Sequence, residues 1–219
     1  MLGIKKFLFK GGAPALSEPL QAALEAWRKS PAPDLDDPHF HMRYVVIDIT
    51  TSGMKPESDT LLSIAASTVQ QGIIVPEDAF FIDFSTQDDP AAVDRKLMAF
   101  LQFTAKAPLV TYHVPYVGGF LQRLLKAQLG LDFQPQWIDL AWLMPAMFED
   151  KSHSVMPLDQ WIEAFGFDTG DGRRSAMDNT LLLARLFQML ITRANGKDVD
   201  TAAQLINESR ASSQLRRSH

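Results

Sequence analysis

The sequence predicts an α/β domain, a mixed sheet flanked by helices, preceded by an N-terminal helical arm. Three observations predict it. The run Tyr44-Val45-Val46-Ile47 is unbroken apolar sequence rich in β-branched residues, as a strand buried on both faces requires. From Leu61 to Phe84, strand-forming residues alternate with turn signals, which reads as an opening meander. Beyond residue 90, helical and strand patterns alternate, the mark of an α/β arrangement.

The elements follow in order. Ser17 is a candidate cap for a first helix with Pro19 in its opening turn, and Leu20, Leu24 and Trp27 recur on one helical face. The Pro- and Asp-rich stretch Ser30 to Pro38 then disfavours regular structure, because prolines remove donors and restrict the preceding residue. This divides the chain into an arm and linker (1–40), a main domain (41–195), and a C-terminal helix and tail (196–219). Within the main domain, Leu61–Val69, Gly72–Val75 and Ala79–Phe84 read as three strands, and Ala91–Phe103 as a helix. Leu109–Tyr112 reads as a strand, Val117–Leu129 as a helix, and Trp137–Leu140 as the start of another element. Leu158–Phe165 is a helix ended by Gly166, Ala176–Thr192 a long amphipathic helix, and Thr201–Ser209 a last helix.

Composition narrows the function. With 219 residues, 46% hydrophobic and 21% charged, the chain can bury a sizeable core. No apolar run approaches the roughly 18 to 20 residues of a membrane span, so no membrane association and a cytoplasmic location are expected. The absence of cysteine excludes disulfides, cysteine zinc sites and thiol nucleophiles together. A formal net charge of -5 gives the whole molecule no field that favours nucleic acid, while leaving room for a local basic groove.

Asp48 ends the first buried strand, where open α/β sheets place their sites. The segment Asp48-Ile49-Thr50-Thr51-Ser52-Gly53 resembles the first motif, Asp-x-Glu-Thr-x-Gly, of the DnaQ-like (DEDDh) 3′-5′ exonucleases. Val110 to Leu121, around Tyr112-His113-Val114-Pro115-Tyr116-Val117, is similar to the second motif, His-Asn-x-x-Phe-Asp followed by a helix. Arg174-Ser175-Ala176-Met177-Asp178-Asn179-Thr180-Leu181 is similar to the third, His-x-Ala-Leu-x-Asp-Ala-Leu, and Trp137-Ile138-Asp139-Leu140 to a segment between them. The likeness spans about Arg43 to Ile191 and rests on the order and spacing of the motifs together. It implies the ribonuclease H-like mixed sheet.

The family's chemistry uses four carboxylates holding two Mg2+ or Mn2+ ions, with a histidine as general base. Carried across residue by residue, only Asp48 keeps a carboxylate. Thr50 stands at the glutamate position, Val117 at the second-motif aspartate, Asn179 at the third-motif aspartate, and Arg174 at the base. A guanidinium cannot accept a proton at neutral pH. At an effective dielectric near 20, a unit charge about 4 Å away contributes roughly 4 kcal/mol, so three missing anions remove most of what would hold two dications. Sliding the third motif by one residue places Arg173 at the base and Asp178 at the carboxylate, at the expense of Ala176 and Leu181.

With these substitutions the resemblance implies a degenerate, catalytically inactive member that acts by binding single-stranded nucleic acid, a nucleotide or a protein partner. Two alternatives stay open: an active 3′-5′ exonuclease with rearranged ligands, holding Mg2+ or Mn2+ on Asp48 and Asp178, and a structural interaction module, such as a homodimer, without nucleic-acid affinity. In the degenerate reading no cofactor is expected. Thr51, His113, Arg173 and Arg174 are the candidate nucleic-acid contacts, and for His113 a structural hydrogen-bonding role competes. Arg174, or Arg173, can instead pair with Asp48 in place of the missing cation, or lie solvated. His39 and His41 alternate as paired ligands do, yet without a third ligand they read as surface residues. Asp59, Asp83 and Asp139 read as turn, strand and helix-start residues.

Overall fold

Strand β1 (Arg43–Thr51) is followed by β2 (Leu61–Gln70), β3 (Ile73–Asp83), β4 (Leu109–Thr111) and β5 (Trp137–Asp139). This is a computed structural model, and it describes residues 16–84, 88–168 and 174–217. The five strands pair in the order β3-β2-β1-β4-β5, antiparallel through β3, β2 and β1 and parallel through β1, β4 and β5. The helices are α1 (Glu18–Lys29), α2 (Pro90–Thr104), α3 (Val114–Leu129), α4 (Leu140–Met147), α5 (Leu158–Ala164), α6 (Ala176–Asn195) and α7 (Ala202–Arg217). Among the described residues, no helix is long and apolar enough to cross a membrane.

Because strand side chains alternate, β1 divides the core in two. Tyr44 and Val46 join a cluster with α4, α6 and α7, whereas Val45, Ile47 and Ile49 join one with α1, α2 and α3. All of these except Ile49 are completely buried, each contributing on the order of 1.5–3 kcal/mol of transfer free energy. Asp48 has the parity of Tyr44 and Val46, so its side chain faces the α6 layer. On the neighbouring strand, Thr50, Asp48 and Val46 stand opposite Ser63, Ala65 and Ser67. These small residues let α6 lie close over the sheet, where Ser67 Oγ donates to the Thr180 carbonyl at 3.4 Å.

Several elements differ from the sequence reading. Gly72–Val75 and Ala79–Phe84 belong to one strand, β3, in which Pro76, Glu77 and Asp78 loop out between the pairs Val75–Thr68 and Ala79–Ser67. Pro76 has no N–H for the ladder, and the bulge accommodates it. Helix α3 begins at Val114 rather than Val117, with Pro115 in its first turn where a missing N–H costs nothing. Ser17 occupies the N-cap position of α1 without a side-chain capping bond. The arm is docked on the domain: Leu24 is buried in the β1–α2–α3 cluster, and Trp27 Nε1 donates to the Ala105 carbonyl at 3.0 Å. At the other end, α7 packs against α4 and β5.

The linker is anchored through His39, which is buried rather than a surface residue. Its Nδ1 lies 2.5 Å from the Tyr44 hydroxyl and its Nε2 3.1 Å from the Val199 carbonyl. Since a carbonyl only accepts, Nε2 carries the proton and Nδ1 accepts from Tyr44. Burial lowers the His39 pKa below 6.5, against smaller raising effects of the Val199 carbonyl and Asp200. Below pH 6.5 the unfolded chain therefore takes up the proton first, and stability falls with pH until folded His39 is itself protonated. Urea melts between pH 8 and 5 should show this decline, at up to about 1.4 kcal/mol per pH unit, and His39→Gln should flatten it.

Candidate functional site

The site grows from the carboxyl end of β1. Parallel pairing with β4 ends at Val46–Val110, and Thr111 Oγ1 donates to the Ile47 carbonyl at 2.9 Å, closing the ladder just before Asp48. Asp48 is largely enclosed, and this burial raises its pKa. Opposing that rise, Asn179 Nδ2 donates to its Oδ2 at 2.9 Å, the Ile49 backbone N–H also donates, and Arg174 adds a more distant favourable charge.

Asn179 lies in the first turn of α6, whose start is fixed by a capping box. Ser175 Oγ accepts from the Asp178 N–H at 3.2 Å while the Asp178 carboxylate accepts from the Ser175 N–H at 2.8 Å. From there Asn179 connects Asp48 with Arg174. Its Oδ1 accepts from Arg174 Nε at 2.8 Å while its amide N–H serves Asp48. Rotating the amide would set oxygen against carboxylate and N–H against guanidinium, so the orientation is fixed by its neighbours. Arg174 then pairs with Asp159 of α5. The result is a chain, Asp48–Asn179–Arg174–Asp159, across β1, α6 and α5. Its inner bonds are shielded and charge-assisted. The outer pair is weaker, because the Asp159 side chain is 74% exposed.

Asp48, Asn179 and Arg174 line one wall of an open cleft of about 750 Å3, with Thr50, Thr51 and Tyr116 beside them and Met54 and Leu62 as its apolar rim. A register shift between Thr50 and Thr51 turns β1 into the rim loop. Thr51 Oγ1 donates to the Gly53 carbonyl at 2.7 Å, so at 2.5 Å it must accept from the Tyr116 hydroxyl. The rim loop is held against α3 by Arg123, which donates to the Pro56 and Asp59 carbonyls. Pro56 approaches so closely that a Cβ on Gly119 would lie 3.0 Å from its Cγ. Asp59 is a turn residue, accepting from the Lys55 N–H at 2.8 Å.

The structure brings together Asp48, Thr50, Thr51, Arg174 and Asn179, but not the other candidates. Val117 is 1% exposed in the α2–α3 core, on the opposite side of β1 from Asp48. Tyr116, one residue earlier, is the α3 residue that reaches the cleft. Its signal, a polar aromatic residue in the turn after a strand, is too common to single out from sequence. Asp178 is exposed and engaged in the capping box, which lowers its pKa through bonds from Ser175. The slid register that would oppose Asp178 to Asp48 is therefore not adopted; Asn179 takes that place. A direct Arg174–Asp48 pair is likewise corrected, since Asn179 stands between them. Arg173 lies outside the described residues. His113 is exposed and does not line the cleft. Its left-handed backbone (φ 65°) caps α3, and its N–H and that of Val114 each donate to Asp139 at 2.9 Å. Asp139 thus joins β5 to the start of α3.

Comparison with known proteins agrees with this architecture. No family model matches the sequence. Over 160 residues the chain is 26% identical to the PolC-type DNA polymerase III of Thermotoga petrophila and, equally, to that of Thermotoga maritima. The match covers 66% of this chain and 11% of each polymerase, so the chain spans only about a tenth of their length. Among solved structures, a complex of E. coli exonuclease I with single-stranded DNA superposes with a TM-score of 0.54 at 13% identity, covering 70% of this chain and 41% of the other. The nuclease domain of 3′hExo, a DEDDh family member bound to rAMP, gives 0.52 at 15% identity, covering 71% and 94%. The chain has the DnaQ-like exonuclease fold.

On this DnaQ-like fold, the residues present do not fit a pair of divalent ions. Among the described residues, no group of three or more His, Asp or Glu side chains is placed to hold an ion. Among the described residues, Asp48 is the sole carboxylate of the cleft wall, the Asn179 oxygen is engaged by Arg174, and Val117 has no donor atom. A double-mutant cycle should follow the hydrogen-bonded chain. In urea denaturation, Asp48→Ala with Asn179→Ala should show coupling of about 1.5–3 kcal/mol. Asp48→Ala with Arg174→Ala should show less than about 1 kcal/mol, vanishing in an Asn179→Ala background.

Proposed function

We propose that this protein is a non-hydrolytic member of the DnaQ-like fold, which holds single-stranded nucleic acid in the cleft beside Asp48. The observation that carries this reading is the placement of Asn179 and Arg174. Where metal-dependent cleavage needs opposed carboxylates, the cleft presents an amide and a guanidinium against one acid. A guanidinium is a phosphate ligand in its own right, and Met54 and Leu62 offer apolar surface to a base. The single-stranded DNA held by E. coli exonuclease I supports the choice of ligand class. A protein-binding role has its own support in the edge strand β3, where Ile73 and Phe81 are 57% and 54% exposed.

Two measurements test the reading. A 3′-labelled single strand incubated with Mg2+ and then Mn2+ should be lost no faster with the native protein than with identically prepared Asp48→Ala; cleavage that Asp48→Ala abolishes would establish an active nuclease. Fluorescence anisotropy with a single-stranded oligonucleotide should give affinity that falls with salt. Arg174→Ala should weaken it and reduce the log–log slope by about 0.7, the contribution of one phosphate contact. Salt-independent or absent binding would favour the protein-partner role.

A further inference from the structure

Arg174 is held from two directions at the wall of the cleft. Its Nε is engaged by Asn179 and another guanidinium nitrogen by Asp159, so both sides of the cation are fixed. The side chain is 22% exposed and lines the cleft. One amide away, Asp48 Oδ2 already accepts a hydrogen bond, leaving that oxygen facing an N–H instead of an open coordination position.

We propose that Arg174 is a resident cation, which through Asn179 satisfies Asp48 and makes the cleft refuse divalent metal ions. The proposal concerns the protein alone and does not depend on whether nucleic acid binds. Its physical basis is twofold. A dication approaching Asp48 meets a fixed positive charge within the same cleft, a repulsion that water only partly screens. It must also break the Asp48–Asn179 bond, and turning the Asn179 oxygen towards the ion would aim the amide N–H groups at the guanidinium. Adding a carboxylate is thus insufficient to create a metal site here; the arginine must also go.

The test compares Mn2+ uptake by native protein, Arg174→Met, Asn179→Asp and the double variant, read from the solution Mn2+ resonance and from the melting temperature with Mn2+ or chelator. Native protein should take up no Mn2+, and its melting should be unchanged by chelator. At equal carboxylate number, the double variant should bind Mn2+ at least about tenfold more tightly than Asn179→Asp alone, and its melting should rise with the ion. Uptake by native protein, or equal affinity of the two Asp-containing variants, would overturn the proposal. Should the double variant not fold, Asn179→Asp combined with Arg174→Gln carries the same comparison: it must bind Mn2+ more tightly than Asn179→Asp alone, and equality would overturn the proposal.

Discussion

A carboxylate cannot be left alone at the end of a buried strand. Asp48 is committed to a sheltered position by the strand that carries it: Val45, Val46 and Ile47 are completely buried, and the parity of β1 turns the next side chain towards α6. An ionised group so placed must find a partner or lose its charge. In this protein the partner is a neutral amide, itself held by an arginine, and the start of α6 and the outer contact with α5 are arranged around that need.

The arrangement rests on features that are individually ordinary. The capping box sets where α6 begins, and hence which residue of its first turn faces the sheet. Small residues on β2 let the helix approach, and Gly119 lets the rim loop close against α3. Asp139 and the left-handed His113 fix the start of α3, which carries Tyr116 to the cleft. Each of these lies outside the positions where the DnaQ-like motifs place their ligands, yet together they preserve a cleft at the carboxyl end of β1. Groove and metal ligands thus depend on different residues of the scaffold.

Electrostatics reverses at the same place. Four carboxylates in one cleft are stable only with cations between them, whereas here Asp48 meets Arg174 through Asn179, and Arg174 is in turn paired with the exposed Asp159. The intervening amide lets acid and base be satisfied without direct contact.

Much of the fold was legible from residue patterns. The buried run at Tyr44, the strand meander and the long amphipathic helix from Ala176 are local signals, because periodicity and β-branching act over a few residues. Thr50, Asn179 and Arg174 were read from the resemblance to the motifs rather than from periodicity, and with Asp48 they line one cleft. Element limits were less so: Pro76 looked like a strand break but bulges within β3, since the ladder resumes on either side. Neighbours across the fold could not be read. That Val117 enters the core while Tyr116 faces the cleft depends on the rotation of α3, and that Asn179 separates Arg174 from Asp48 depends on how α6 lies on the sheet. The sequence by itself determined which chemical groups are present and which strand end they accompany, because those are properties of short segments. Only the tertiary structure decided which groups meet, because hydrogen bonds between residues as far apart as Asp48 and Asn179 exist only once packing has brought their elements together.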